Sequence, residues 1–301
     1  SEIGKIIHGK CRKSAMRCVC GVLCGMQFNN SVITCHRLSH DRRPLSLPVQ
    51  PPSMDALDAS KISRQSQLPK KGKYRQRAHC NPLMTGGFTP PVKPSEYDWS
   101  QDFPEKYREA EEKGVSPPTV DHLDIGCGFG GMTIKLAEEF PDKLTLGLEI
   151  RAKVSQYVKD RITALRLKHP GRYQNCSCIH TNTQRHLVQY FGKASVEKIL
   201  ILFADPCFKA SSHRRRIIQR ALLDEYAYIL KPQGTLYCVT DVPDLHEWQK
   251  RKLDEHTLFE ELSEAEMAAD PIATWIETET EESKKVKRNG GNVWKAVYRR
   301  R

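Results

Sequence analysis

Four glycines within six residues constrain this chain more than any other feature. The stretch Asp124-Ile-Gly126-Cys-Gly128-Phe-Gly130-Gly131 follows the short apolar run Val120–Ile125. It precedes residues 132–140, where Met132, Ile134, Leu136, Ala137 and Phe140 recur at helical spacing. A strand that passes through such a loop into a helix turns tightly, and glycine alone lets a ligand press against bare backbone. The rest of the chain repeats the alternation. Strands are expected at 144–150, 176–180, 199–203 and 235–240, and helices at 153–168, 184–190 and 214–230. Pro232-Gln-Gly234 marks a turn before the last strand. Strands alternating with helices imply right-handed crossovers and an α/β, doubly wound, Rossmann-like sheet, with its site at the C-terminal strand ends.

The glycine loop admits two ligands. Gly126, Gly128 and Gly131 satisfy G-x-G-x-x-G, the dinucleotide fingerprint. The acidic Asp124 just before them and the overlapping G-x-G-x-G point instead to S-adenosylmethionine, which has no pyrophosphate. Glu149, ending the second strand beside Ile150, suits a carboxylate that accepts both ribose hydroxyls. Asn182, after the third strand, places an amide where an adenine edge would lie. Asp205-Pro206-Cys-Phe208, after the fourth, resembles the N/D-P-P-Y/F loop of amino methyltransferases, which aims a polar group and an aromatic ring at a target base.

Composition matters mainly through its distribution. The chain has 301 residues and a net charge of +12, yet residues 1–77 hold 15 of its 48 Lys and Arg against 4 of its 36 Asp and Glu. A basic arm beside a nearly neutral remainder suits a polyanionic partner. No apolar run approaches the roughly 20 residues of a membrane helix, so no membrane role is expected. The eleven cysteines show no regular pairing, which points to a reducing compartment. Cys18, Cys20, Cys24, Cys35 and His36 lack paired C-x-x-C spacing, so no metal is expected. Three zones result. Residues 1–53, ending in a Pro-rich stretch, read as an unstructured extension, with Met54 as the natural start. Residues 54–117 read as a basic extended arm, and 118–301 as the catalytic domain.

Taken together, the markers resemble the eukaryotic transfer-RNA (guanine-N7)-methyltransferase family, catalytic subunit. They run in order from Tyr74-Arg-Gln-Arg-Ala-His-Cys-Asn-Pro82 through Val92-Lys-Pro94, Asp98-Trp99 and the glycine loop. Leu148-Glu-Ile-Arg151 and Leu202-Phe-Ala-Asp-Pro206 follow, then Leu223-x-Glu-Tyr226, Thr240-Asp241, Thr280-Glu-Glu282 and Arg288-Asn-Gly-Gly291. The resemblance implies a class I S-adenosylmethionine-dependent methyltransferase fold and cofactor contacts from Gly126, Glu149, Arg151, Asn182, Thr183, Leu202, Thr280 and Glu282. Gly128 and Ile150 join them as neighbours in the same loops. It implies Asp205 as catalytic residue, guanosine in the tRNA variable loop as target, a WD-repeat β-propeller as heterodimeric partner and a nuclear location. Lys209, His213, Arg214, Arg215 and Arg216 are the expected RNA clamp, with Lys284, Lys285, Lys287 and Arg288 as a second strip.

The chain departs from the family where it reads Ala204 for a proline, Cys207 for a large ring and Thr85-Gly86-Gly87 for an acidic-histidine element. These departures raise the alternative of a catalytically weak or inactive relative that binds RNA or a partner. A proline before Asp205 would preset the backbone, so Ala204 is expected to leave the loop looser and the enzyme slower.

Overall fold

The computed structural model describes residues 66–301 other than Thr85. The expectations for residues 1–65, including the extension, the Met54 start and the Cys18–His36 group, lie outside the described residues. So does that for Thr85.

A seven-stranded sheet in the order β3-β2-β1-β4-β5-β7-β6 forms the centre. Its strands are β1 (Val120–Ile125), β2 (Leu144–Glu149), β3 (Cys176–His180), β4 (Val196–Leu202), β5 (Leu230–Thr240), β6 (Phe259–Glu261) and β7 (Trp294–Arg300). The first five pair in parallel, and β7 runs antiparallel between β5 and β6. The helices among the described residues are α1 (Pro104–Lys113), α2 (Gly131–Glu139), α3 (Ala152–Lys168), α4 (Thr183–Tyr190), α5 (Arg220–Ile229), α6 (Pro243–Asp254), α7 (Glu264–Ala269), α8 (Pro271–Thr278) and α9 (Glu281–Arg288). This is the doubly wound, Rossmann-like arrangement that the strand–helix alternation implies.

Strand alternation divides the core between two faces. Ile199, Ile201, Leu236, Cys238 and Tyr298 meet Leu187 of α4, Leu223 of α5 and Leu253 of α6. On the other face Leu200, Tyr237, Val239 and Val297 meet Met132 and Leu136 of α2 and Ile272 and Ile276 of α8. Cys176 and Cys178 pack with Tyr157, Val158 and Ile162 of α3, as free thiols. Two sheet faces buried under helices explain why these strands read as apolar runs.

Four differences from the sequence expectations have physical causes. Residues 94–117 are not an extended arm. Phe103 is fully buried in the main core, Asp102 accepts from Ser177 Oγ at 2.8 Å, and α1 follows. The expected helix 214–230 is two elements, a 3-10 turn Ala210–Arg215 and α5, because Arg216 and Ile218 are both drawn into the interior at 4% and 1% exposure. The turn at Pro232-Gln-Gly234 is a bulge within β5, across which the partners jump from Val196–Leu230 to Lys198–Thr235. β6 and β7 escaped the sequence reading. In β7 only three consecutive residues, Ala296, Val297 and Tyr298, are buried, and the Lys and Arg around them leave an apolar run too short to read as a strand.

Candidate active site at the C-terminal edge of the sheet

Register places the strand ends together. Ile125 lies beside Leu148 and Ile201, Glu149 beside His180, and Leu202 beside Val239. The segments that follow, 126–131, 150–151, 181–183 and 203–208, therefore open on one edge.

The glycine loop is built as the sequence requires. Gly126, Gly128 and Gly130 have φ of 75°, 54° and 74°, which glycine adopts without a Cβ penalty. Gly126 N donates to Leu148 O at 2.7 Å and Gly130 N to Cys127 O at 2.9 Å. An added Cβ would meet nothing within 4 Å at Gly126 and only Arg151 Nη2, at 3.9 Å, at Gly128. The backbone thus faces open space of the kind a ligand needs, and the residues present fit S-adenosylmethionine. Beneath the loop, Asp124 is 2% exposed and accepts from Thr133 Oγ1 at 2.7 Å. Burial pushes its carboxyl up to about 6, against the Thr133 hydrogen bonds that hold it down.

Glu149 is buried, but it is not a vacant acceptor. Oε1 accepts from Arg151 N and Nε at 2.9 and 3.1 Å, and Oε2 from Arg151 Nη2 and Gly128 N, each at 3.0 Å. A carboxylate has about four acceptor sites, so all are filled. A ribose diol reaches Glu149 only by displacing the Arg151 guanidinium. Burial opposes the Arg151 charge, while the hydrogen bonds and charge of Glu149 outweigh it and raise its pKa.

Asn182 likewise has a partner other than a ligand. It is 1% exposed and donates through Nδ2 to Pro82 O at 2.7 Å and Met84 O at 3.4 Å. Thr183, also buried, opens α4, and Ile150 O lies 3.1 Å from His180 Nε2. Leu202 ends β4, partly buried against the core. Thr280 caps α9, accepting from Ser283 N at 2.9 Å. The start of α9 flanks the glycine loop, since a Cβ on Gly131 would lie 3.7 Å from Glu279 O and 4.0 Å from Glu281 N. Glu282 is not brought into this group: it is exposed and pairs with Lys285. Glu281 takes the inner position, pairing with Lys71 and, at 3.9 Å, with Arg161.

Asp205 sits in a strained turn. Phe203 and Cys207 have φ of 52° and 47°, a conformation costly to residues other than glycine. Asp205 Oδ1 accepts from Cys207 N at 3.1 Å, and Oδ2 lies 2.7 Å from His79 Nδ1. Burial raises the Cys207 thiol, as does the neighbouring Asp205 charge. Phe208 is 73% exposed, so it neither belongs to the core nor walls a site in this conformation.

Of the expected RNA clamp, Lys209 and Arg214 are exposed, and His213 and Arg215 are half-buried. Arg216 departs from the expectation. It is buried, and its Nε donates to Pro206 O at 2.9 Å. Lys284, Lys287 and Arg288 line an open groove with Lys71 and Glu281 beside the glycine loop.

Sequence reasoning missed what crosses this edge. Tyr74 OH donates to Asp160 at 2.5 Å and Gln76 Oε1 accepts from Lys153 N at 3.0 Å. His79 then reaches Asp205, Cys80 feels the charges of Arg151 and Glu149, and the Phe88 ring packs tilted against His180 at 4.9 Å. Residues 74–84 and 86–88 thus run over the ends of β1 to β4. The dense polar run 74–82 signalled importance, but nothing local showed where its side chains would land.

A family model described as "Putative methyltransferase" matches residues 118–296. Curated relatives carry the name tRNA (guanine-N(7)-)-methyltransferase. One from Oryza sativa subsp. indica is 45% identical over 252 residues, covering 82% of this chain and 97% of the relative. Another from Culex quinquefasciatus is 47% identical over 235 residues, covering 78% and 95%. A third, from Mus musculus, is 46% identical over 243 residues, covering 77% and 91%.

Proposed function

The chain belongs to the tRNA (guanine-N7)-methyltransferase family, and from that premise we propose a finer assignment of target, partner and residue roles. The protein is an S-adenosylmethionine-dependent enzyme that methylates N7 of guanosine in tRNA. The guanosine lies in the variable loop, the chain is the catalytic half of a heterodimer with a WD-repeat β-propeller, and the complex works in the nucleus. These finer points rest on the family resemblance. The alignment of the glycine loop, Glu149 and Asp205 on one sheet edge carries the chemical assignment.

When bound, the cofactor supplies a methyl group on a sulfonium. Gly126, Gly128, Glu149, Ile150, Arg151, Asn182, Thr183, Leu202 and Thr280 would hold it, once the Arg151 guanidinium leaves Glu149 and the 79–84 segment leaves Asn182. N7 of guanine presents an in-plane lone pair and carries no proton, so the protein needs no general base. Its task is to hold the base in line. Asp205 accepts from the guanine N1/N2 edge and offsets the positive charge that develops on the base. To do so it releases His79. Lys209, His213, Arg214 and Arg215 take phosphates beside it.

The test is methyl incorporation into bulk tRNA by the full chain, with and without the propeller subunit, followed by mass spectrometry of nucleosides. Formation of 7-methylguanosine mapped to the variable loop supports the reading. Cofactor and RNA binding without product favours the inactive-relative alternative that Ala204 and Cys207 raise. A methyl group found on adenine N6 or cytosine N4 overturns it.

A further inference from the structure

The turn that carries Asp205 is closed by a residue ten positions beyond Pro206. Arg216 is 4% exposed, and its Nε donates to the Pro206 carbonyl at 2.9 Å. Its guanidinium carbon lies 4.8 Å from the centre of the Trp248 ring on α6. Trp248 is held in turn: its Nε1 donates to Ile218 O at 2.8 Å, Arg251 lies 5.2 Å from its ring, and His213 packs edge-on at 5.3 Å. The backbone of Arg216 is fastened too. Its N donates to His213 O at 3.0 Å, and its carbonyl accepts from Gln219 Nε2 at 2.7 Å. Between the two ends of this loop lie Lys209, Arg214 and Arg215, the cations placed for phosphates.

Two observations make Arg216 more than a packing residue. Non-glycine residues stay at positive φ only where their surroundings hold them, and Phe203 and Cys207 flank Asp205 in that state. The carbonyl that Arg216 grips belongs to the residue between Asp205 and Cys207. Moreover, a planar guanidinium can stack on an indole while directing Nε along its edge, which an ammonium cannot do. We propose that Arg216 is a positioning residue for methyl transfer: its buried guanidinium, seated on Trp248, buckles the Asp205 turn through the Pro206 carbonyl. The buckle makes the carboxylate and the RNA-facing segment 209–215 one mechanical unit. The inference rests on the assignment of Asp205 to the reaction.

The experiment uses the full chain with its propeller subunit, tRNA and S-adenosylmethionine, and compares Arg216→Gln, Arg216→Lys, Trp248→Leu and Arg214→Ala. Three quantities are read: kcat at saturating substrates, tRNA affinity with its salt dependence, and amide hydrogen exchange across residues 203–209. Arg216→Gln is expected to lower kcat about 10- to 100-fold, the scale of a small misplacement of a reacting group. Its tRNA affinity stays within about twofold, and exchange in 203–209 quickens. Arg216→Lys moves the same way by less. Trp248→Leu lowers kcat about 3- to 10-fold with the hydrogen bond left in place, on the same scale of misplacement. It carries the test if the Arg216 variants do not fold. Arg214→Ala, in contrast, weakens tRNA binding, lowers its salt slope by about 0.7–0.9 and leaves exchange in 203–209 alone. Wild-type kcat and exchange in Arg216→Gln, or a loss of affinity and salt slope like that of Arg214→Ala, overturns the proposal. If the wild-type complex makes no 7-methylguanosine, the functional assignment fails, and exchange in 203–209 still decides whether the buckle exists.

Discussion

The loops after β1 and β4 meet at the same edge and solve one problem in opposite ways. Each needs left-handed backbone to turn out of its strand. The first uses Gly126, Gly128 and Gly130, for which the conformation is free. The second uses Phe203 and Cys207, at a cost on the order of 1–3 kcal/mol each. The glycine loop closes through backbone bonds, Gly126 N on Leu148 O of the adjacent strand and Gly130 N on Cys127 O within the loop. The Asp205 loop has the same kind of backbone bond, Phe203 N on Val239 O, and adds side chains, Arg216 on Pro206 and His79 on Asp205. A loop that must accept a ligand against its backbone can be cheap and bare of side-chain props. One that must hold a carboxylate in place draws its rigidity from the rest of the fold.

Filling the glycine cradle breaks the first loop most severely. Gly128→Val puts a branched Cβ at φ 54° into the open space above the backbone, and calorimetry should find no S-adenosylmethionine binding. Affinity like that of the wild type would remove the glycine loop from the cofactor site. On the second loop, Asp205→Ala should leave cofactor affinity within a few-fold and lower methyl transfer by about 100-fold or more, as loss of one preorganised polar contact does. Wild-type turnover would move the chemistry elsewhere.

The floor of the glycine loop is sensitive to pH. Asp124 has a folded pKa of about 6, above its unfolded value, so between pH 4 and 6 the folded state binds more proton than the unfolded. Its contribution to stability is therefore full at low pH and is lost as pH rises through that window, by ~3 kcal/mol. Asp124→Asn should flatten the fall, and its stability relative to wild type should be greater at pH 7.5 than at pH 4. Denaturant melts at the two pH values measure this; parallel shifts in both proteins would contradict it.

Smaller effects are expected where the second loop's strain is relieved. Cys207→Gly removes the left-handed penalty while adding unfolded-state entropy, for a net gain of ~0.5–1 kcal/mol in urea unfolding. A loss would mean that contacts of the half-buried thiol outweigh its strain. Least of all should come from Ala204→Pro with Cys207→His, the change toward the family pattern. The looseness expected from Ala204 is already removed by Arg216 and Val239, so turnover should change less than about threefold, under ~1 kcal/mol of barrier. A tenfold gain would show that these contacts do not hold the loop during turnover.

Much of this molecule is legible in its sequence because the responsible physics is local. The glycines at 126, 128 and 130 declare their φ by lacking a Cβ, and the apolar periods of β1 to β5 and α2 to α4 follow from two buried sheet faces. The meeting of Gly126, Glu149 and Asp205 follows from the parallel connections. Tertiary structure alone decided the rest. Arg214, Arg215 and Arg216 are three identical residues in a row, and only packing turns the third inward onto Pro206 and Trp248 while the first stays in solvent. His79 and Asp205 are 126 residues apart, and Pro82 and Asn182 are 100 apart. No periodicity or propensity encodes such pairs, since each contact exists only once both segments have been placed by a core neither of them forms.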